Sequence, residues 1–328
     1  MTIRGGARLG ALLLAFVLLA AACGDDDGAD GGELDHISLQ MKFSPTVGWA
    51  PYLYGIDAGI FEEHGIDLEL LSAPGDTVAH QQIAENNVQF AQSDMTSYLN
   101  FKATENPPTT AVMVVNRVPR VGILTTLPAD SLDDLVGETV AHNPWDLFQF
   151  VLPILLDLEG LPTDAVGLEP VVLTNTMLFE GQIDAVMAYI GGTLRAGLIE
   201  AEDRGIPVSF LAASDFGFVG YDDVIIVRDE VIRDNPDLVR RFVAALAESV
   251  EEARQADDEL IVDLLAEQIP AIDRETQMLA WQDVKNLFGG DWRFEIDDVA
   301  AMLGYVRDGL GVETDLQPEN TFTHDFLP

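Results

Sequence analysis

Short extended runs alternate with helical patterns along this chain, break off, begin again, and then give way to one more extended run followed almost entirely by helix. That order constrains the fold more than composition does, because strands separated by helices form parallel sheets with crossovers, and a late returning strand re-enters a sheet already begun. Ile37–Met41 and Asp67–Leu71 read as strands around a helix near Ala50–Ala58 that Gly59 ends. Asp76–Glu85 reads as helix, Val88–Ala91 as strand, and Ser93 or Asp94 to Thr104 as helix, closed by Pro107 and Pro108. Ala111–Val115 and Val121–Thr125 follow, the second as a hinge strand leaving the first lobe. From Pro128 the pattern restarts: strands at Thr139–Ala141, Leu168–Leu173, Ile183–Tyr189 and Val208–Leu211, with helices at Asp146–Leu158, near Met177–Glu180 and up to Arg204. Asp223–Val227 returns as a strand, and helices begin again at Asn235-Pro236, an N-cap followed by proline in the first turn.

The expected architecture is α/β, two-lobed, with two hinge crossings. Residues 1–22 form a signal peptide, 23–34 a tether, 35–126 the first lobe, 127–216 the second, and 217–328 complete the first. A chain that leaves a lobe, builds another and returns makes a cleft able to close on a ligand. Ligands of open α/β sheets sit beyond the carboxyl ends of the strands, which directs attention to the residues there. On the first lobe these are Phe43, Trp49, Tyr52, Ser93, Asp94 and Asn116. On the second they are Asn143, Trp145, Asp146 and Tyr189, with Asp215 and Tyr221 near the return crossing. Tyr52 fits a core position equally well, and Asp146 a plain acid at a helix start. Arg117 and Arg120 suit ion pairing better than anion capture.

With 56 acidic and 17 basic residues the formal net charge is −39, and lysine occurs only at 42, 102 and 285. Such a chain is a poor partner for nucleic acid, which needs basic surface. The surplus of acid fits a high-salt habitat, where screening tolerates self-repulsion, or an arginine-favouring genome. Arg4 and Arg8 precede the apolar run Leu9–Ala22, and Cys23, the single cysteine, follows it. That is the layout of a secretory signal, and Leu19-Ala20-Ala21-Ala22-Cys23 has the form of a lipobox, with Ala20 where leucine is preferred. Lipidation of Cys23, an extracytoplasmic location, and membrane contact through that anchor alone are the expectations. The following GDDDGADGGE has no apolar periodicity and reads as a flexible tether.

Ser44-Pro45-Thr46, Ala50-Pro51-Tyr52, Gly59-Ile60-Phe61 and Glu63-x-Gly65-Ile66-Asp67-Leu68 open a series of short motifs. It continues through Val88-x-Phe90-Ala91, Asp134-Leu135-Val136-Gly137, Gly181-x-Ile183-Asp184-Ala185, Asn235-Pro236-Asp237-Leu238 and the terminal Phe322-Thr323-x-Asp325-Phe326-Leu327. In this order the chain resembles the thiamine-pyrimidine-precursor family of solute-binding proteins, which shades into riboflavin-, nitrate- and alkanesulfonate-binding relatives. The resemblance implies a periplasmic-binding-protein type II fold and delivery of a small molecule to the permease of an ABC importer, as a monomer. It also implies that Phe43 occupies the place of a stacking tryptophan in pyrimidine-binding relatives.

A fungal branch of the same family consists of enzymes that make the thiamine pyrimidine. Its pyridoxal-phosphate lysine and consumed histidine align with Ser93 and Ser97. Its cysteine motif aligns with Gly217–Tyr221, which has no cysteine, and its glycine-rich phosphate loop with Asn143–Leu147, which has no glycine. No cofactor, metal-ligand spacing or nucleophile–base motif is expected, and the chain is read as a non-enzyme. A surface lipoprotein that binds no small molecule is the remaining alternative. Aromatic residues with few cations favour a flat, neutral or weakly basic heterocycle clamped between rings, with Asn or Asp groups reading its nitrogens. A nitrate or sulfonate would instead need arginine or bare helix N-termini.

Overall fold

β-rich runs flanked by proline and glycine are paired as the alternation requires. The computed structural model describes residues 34–144, 148–172 and 175–328. The expected signal peptide and all of the expected tether but Leu34, with Cys23, lie outside these residues, as do Trp145 and Asp146. In the first lobe, β1 (Asp35–Gln40) pairs in parallel with β2 (Ile66–Leu71) and β3 (Phe90–Ser93), while β10 (Asp223–Arg228) runs antiparallel between β3 and β4 (Thr109–Asn116). The second lobe repeats the plan. Here β6 (Thr139–His142) is parallel to β7 (Gly167–Pro170) and β8 (Ala185–Tyr189), and β5 (Val121–Thr125) lies antiparallel between β8 and β9 (Ser209–Ala212).

The orders β2-β1-β3-β10-β4 and β7-β6-β8-β5-β9 are therefore equivalent, and in each sheet the antiparallel strand is the one that has just crossed from the other lobe. This revises one expectation. Val121–Thr125 is the second-to-edge strand of the second sheet, so the chain leaves the first sheet at Asn116 and the crossings occupy 117–120 and 213–222. The apolar alternation of β5 could not reveal which sheet it joins, because both of its faces are buried.

Helices cover both sheets: α1 (Ala50–Asp57), α2 (Ile60–Glu63), α3 (Asp76–Ala84) and α4 (Met95–Glu105) on the first, α5 (Phe148–Leu158), α6 (Asn175–Phe179) and α7 (Thr193–Arg204) on the second. After β10 come α8 (Asp229–Asp234), α9 (Pro236–Gln255), α10 (Asp258–Gln268), α11 (Arg274–Val284) and α12 (Ile296–Gly304). Asn235 caps α9 through its side chain to Leu238 N at 3.2 Å, and the buried face of α9, with Val239, Phe242, Val243 and Leu246, lies on the first sheet and α1. Gly55 permits the close α1–α9 approach, since a Cβ there would lie 2.2 Å from Ser249 Oγ. The terminal Phe322-Thr323 clips the edge of the first sheet, with Thr323 N donating to Ala111 O at 2.9 Å.

Helix α11 also reaches across to the second lobe. Arg195 of α7 donates both Nε and NH2 to Asp283 at 2.7 and 2.6 Å. Gly191 has φ +78°, and a Cβ on it would sit 2.3 Å from Val284. Only glycine serves there, on both counts.

Candidate functional site

The carboxyl end of β1 places Lys42 and Phe43 at the mouth between the lobes, and the two crossings bring Arg120, Asp222 and Asp223 beneath them. Lys42, Arg120, Asp222 and Asp223 are all buried, none more than 6% exposed. Arg120 donates from Nε to Asp222 Oδ2 at 2.6 Å and from NH2 to Asp223 Oδ2 at 2.9 Å. Lys42 Nζ sits 3.2 Å from Asp223 Oδ1 and 3.5 Å from Asp222 Oδ1, and donates to the Asp222 carbonyl. Gln92 joins the network by donating to Asp223 Oδ1 at 3.0 Å.

Burial opposes charge on every member, and the neighbours decide the outcome. For Lys42 and Arg120 burial is outweighed by Asp222 and Asp223, and both are raised. For Asp222 burial is outweighed by Arg120 and Lys42, and its pKa is lowered; for Asp223 burial prevails over Lys42, and its pKa is raised. Two cations face two carboxylates, so the floor of the cleft holds no surplus positive charge.

Above this floor is a cavity of about 290 Å³ with walls from both lobes, among them Phe43, Arg120, Asn143, Phe148, Met187 and Tyr189. Tyr189 meets Phe148 at 4.6 Å between centroids and Phe43 edge-on at 5.2 Å and 71°. Edge contact between Phe43 and Tyr189 differs from the expected open sandwich, because the rings close on each other and must part to admit a plane between them. A larger space of about 600 Å³ runs as a groove between α3 and α4, with Phe150 of the second lobe at one side. Most of its lining residues are polar and come from the first lobe, and its stacked pair, His80 on Phe101 at 4.5 Å, belongs to that lobe alone, so among the described residues no ring from the second lobe faces one from the first across a shared wall as Tyr189 faces Phe43.

Of the residues singled out from sequence, Phe43, Asn143 and Tyr189 thus meet at one cavity. Others do not reach it. Tyr52 is fully buried in the first core, its hydroxyl accepting from Gln92 at 3.3 Å, because α1 turns that face toward the sheet and α9. Trp49, 5% exposed, belongs to the same core on a short 3-10 turn packed by α11. Asn116 is buried at the end of β4, just before the first crossing, and accepts from Val118 N at 3.0 Å. Asp215 is exposed on a 3-10 turn, and lines none of these cavities. Tyr221 binds α12, donating to Asp298 at 2.7 Å and accepting from Glu295 N at 3.0 Å. Arg117 pairs with Asp291 at 2.5 Å and lies over the Tyr221 ring at 5.2 Å, so it holds the crossing to the C-terminal segment.

Ser93 and Asp94 lie behind the floor in a second polar cluster. Asp94 caps α4, accepting from Ser97 N at 2.8 Å, and burial with the Asp76 charge pushes its carboxyl up to about 8. Ser93 Oγ lies 2.7 Å from His80 Nε2 and 3.1 Å from Asp76 Oδ1, a serine–histidine contact that sequence spacing did not expose. It is ill suited to nucleophilic work. Ser93 is fully buried, and burial lowers His80 to about 3, leaving a feeble base.

Sequence reasoning missed Lys42, Phe148, Asp222 and Asp223. A signal was present: one of three lysines in a chain of net charge −39 stands directly after a strand, and two adjacent aspartates open the returning one.

Two sheets of one plan, joined by two crossings with a cavity between them, define the fold of the two-lobed periplasmic binding proteins. The periplasmic aliphatic sulphonate binding protein SsuA from Escherichia coli shares it with a TM-score of 0.71 at 12% identity, over 88% of this chain and 97% of that one. The chain belongs to the NMT1/THI5-like family, whose model matches residues 47–260. Relatives include the formylaminopyrimidine-binding protein of Halalkalibacterium halodurans, 22% identical over 291 residues, which cover 85% of this chain and 87% of the relative. Riboflavin-binding protein RibY of Chloroflexus aurantiacus is 25% identical over 314 residues, 90% of this chain and 87% of that one.

Proposed function

We propose that this protein is the extracytoplasmic substrate-binding component of an ABC importer and that it captures a neutral or weakly basic aromatic heterocycle between its lobes. One observation carries the reading. Arg120 is the sole cation among the described residues lining the 290 Å³ cavity, and Asp222 and Asp223 already neutralise it, while three aromatic rings form the walls. An anion entering there would find no unpaired positive charge, whereas a flat ring finds apolar faces and the Asn143 amide. The volume lies just below the roughly 300–1,000 Å³ typical of small-molecule sites, which favours one ring system of modest size. A thiamine pyrimidine precursor is the specific ligand proposed, and the names of the two sequence relatives support a heterocycle.

The function is non-catalytic: Ser93 and Ser97 replace the lysine and histidine of the enzyme branch, and His80 is too weak a base to activate Ser93. The protein acts as a monomer held to the membrane by a lipid on Cys23, and the lobes hinge at 117–120 and 213–222. Titrating the purified protein with hydroxymethylpyrimidine, its formylamino relative, thiamine, riboflavin and taurine, read by tryptophan fluorescence and calorimetry, tests the ligand class. Saturable binding of a pyrimidine is expected. Tight binding of taurine with none of the rings would overturn it.

A further inference from the structure

Beside the cleft cavity is an annex of about 210 Å³, and the two share Thr46 and Val47 from the first lobe and Gly192 and Thr193 from the second. Beyond this neck the walls are chiefly apolar, with Leu265, Ile269, Ile272 and Ala280 on one side and Ala196 of α7 on the other. Thr276, whose hydroxyl donates to Asp273 at 2.7 Å, and Gln277 are the exceptions. Gln277 is 3% exposed, and its Nε2 donates to Ile269 O at 2.9 Å and Ile272 O at 2.7 Å. Those two carbonyls fix the amide, since a flipped group would set oxygen against oxygen. Oε1 is consequently left buried with no hydrogen-bond partner among the described residues, on a side chain that lines the annex. Oε1 itself has almost no accessible surface, so nothing in the annex reaches it, and the annex is a site for apolar groups.

We infer that the ligand of this cleft has two parts: a planar head between Phe43, Phe148 and Tyr189, and an apolar arm that passes the neck into the annex. This rests on the aromatic head proposed above and adds the chemistry attached to it. The neck is formed by one loop from each lobe, so the arm is enclosed only while the lobes are together. A bare ring would leave the annex empty, and each methylene of an arm buried there adds affinity by roughly fourfold.

The test uses 4-amino-5-aminomethyl-2-methylpyrimidine acylated with formyl, butanoyl, hexanoyl and 5-hydroxypentanoyl groups, titrated by calorimetry into the wild type and Ala196→Phe. Ala196 is exposed on α7, so the phenyl ring is expected to fill the annex without unfolding the chain, as a thermal melt verifies. Affinity should rise at least tenfold from formyl to hexanoyl, and hydroxypentanoyl should bind more weakly than hexanoyl, because it exchanges a methyl for a hydroxyl among chiefly apolar walls. Ala196→Phe should erase the gain and leave the formyl compound unchanged. Heads that bind with flat dependence on arm length overturn the annex and leave the head reading intact, and a hydroxyl tip that binds as tightly as the methyl tip overturns the apolar character of the arm. If no pyrimidine binds, the head reading fails, and benzyl alcohol decides the annex alone by ligand-observed NMR. Binding lost in Ala196→Phe supports it; binding absent or unaffected overturns it.

Discussion

The two lobes share a strand order and differ at the edges that face each other. The first presents charge: Lys42 after β1, and Asp222 and Asp223 at the start of β10, all buried. The second presents rings and an amide: Tyr189 at the end of β8, Phe148 in α5, and Asn143 after β6. The contrast separates two jobs. Buried ions with many fixed partners lock geometry, because moving any one leaves another uncompensated, whereas aromatic walls discriminate ligands and tolerate motion. Phe43 alone carries the aromatic character onto the charged side, and it meets Tyr189 there.

The most damaging way to break this contrast is on the ionic side. Asp222→Ala strips a carboxylate from Lys42 and Arg120, and stability should fall by about 3–5 kcal/mol in urea unfolding. If the protein still folds, the released positive charge should give the cleft an affinity for taurine that the wild type lacks. On the aromatic side, Tyr189→Ala should weaken the ligand about 10- to 100-fold by calorimetry. Tyr52→Phe, which removes a hydroxyl bonded to Gln92, should cost about 1 kcal/mol of stability and leave affinity unchanged. Equal effects of the two on binding would erase the distinction between core and cleft tyrosines.

Titration sharpens the comparison further. Asp94 is raised to about 8 from the ordinary carboxylate value, so the folded state holds its proton where the unfolded state has lost it. Its contribution is full at acid pH and is lost as pH rises toward 8. His80, lowered to about 3, acts oppositely between pH 3 and 6.5, and the two nearly cancel below 6.5. Stability should therefore decline between about pH 6.5 and 8 by about 1–2 kcal/mol, and Asp94→Asn should flatten that decline. The smallest effect is expected at the part-exposed Arg195–Asp283 pair between α7 and α11. Asp283→Ala should change stability by about 1 kcal/mol or less and, by loosening the closed lobes, speed ligand release less than about fivefold in stopped-flow.

Much of the frame was legible in the residues. Strand–helix alternation, the restart after Pro128 and the return at Asp223 gave the two sheets, and the order of short motifs pointed to the family. The site was legible only where a residue lies directly at a strand end, as Phe43, Asn143 and Tyr189 do. Tyr52 and Trp49 lie only a few residues further on, but on helical turns whose rotation points them into the core, and rotation is set by packing against α9 and α11. The ionic floor escaped because its members stand far apart in sequence: Lys42 and Asp222 are separated by 180 positions, and only the two crossings unite them.

The placement of β10 has a consequence for how the chain acquires its structure. Strands β3 and β4 are not neighbours; β10 fills the gap between them, and its residues are made more than a hundred positions after β4 ends. Until Asp223–Arg228 emerge, both older strands present raw edges on which foreign strands can add. A nascent chain of this design therefore cannot finish its first lobe before its second, and a fragment stopping short of residue 223 should be sticky rather than half-native. Assembly is set by the last strand to arrive, and a holding chaperone would be most useful during that wait.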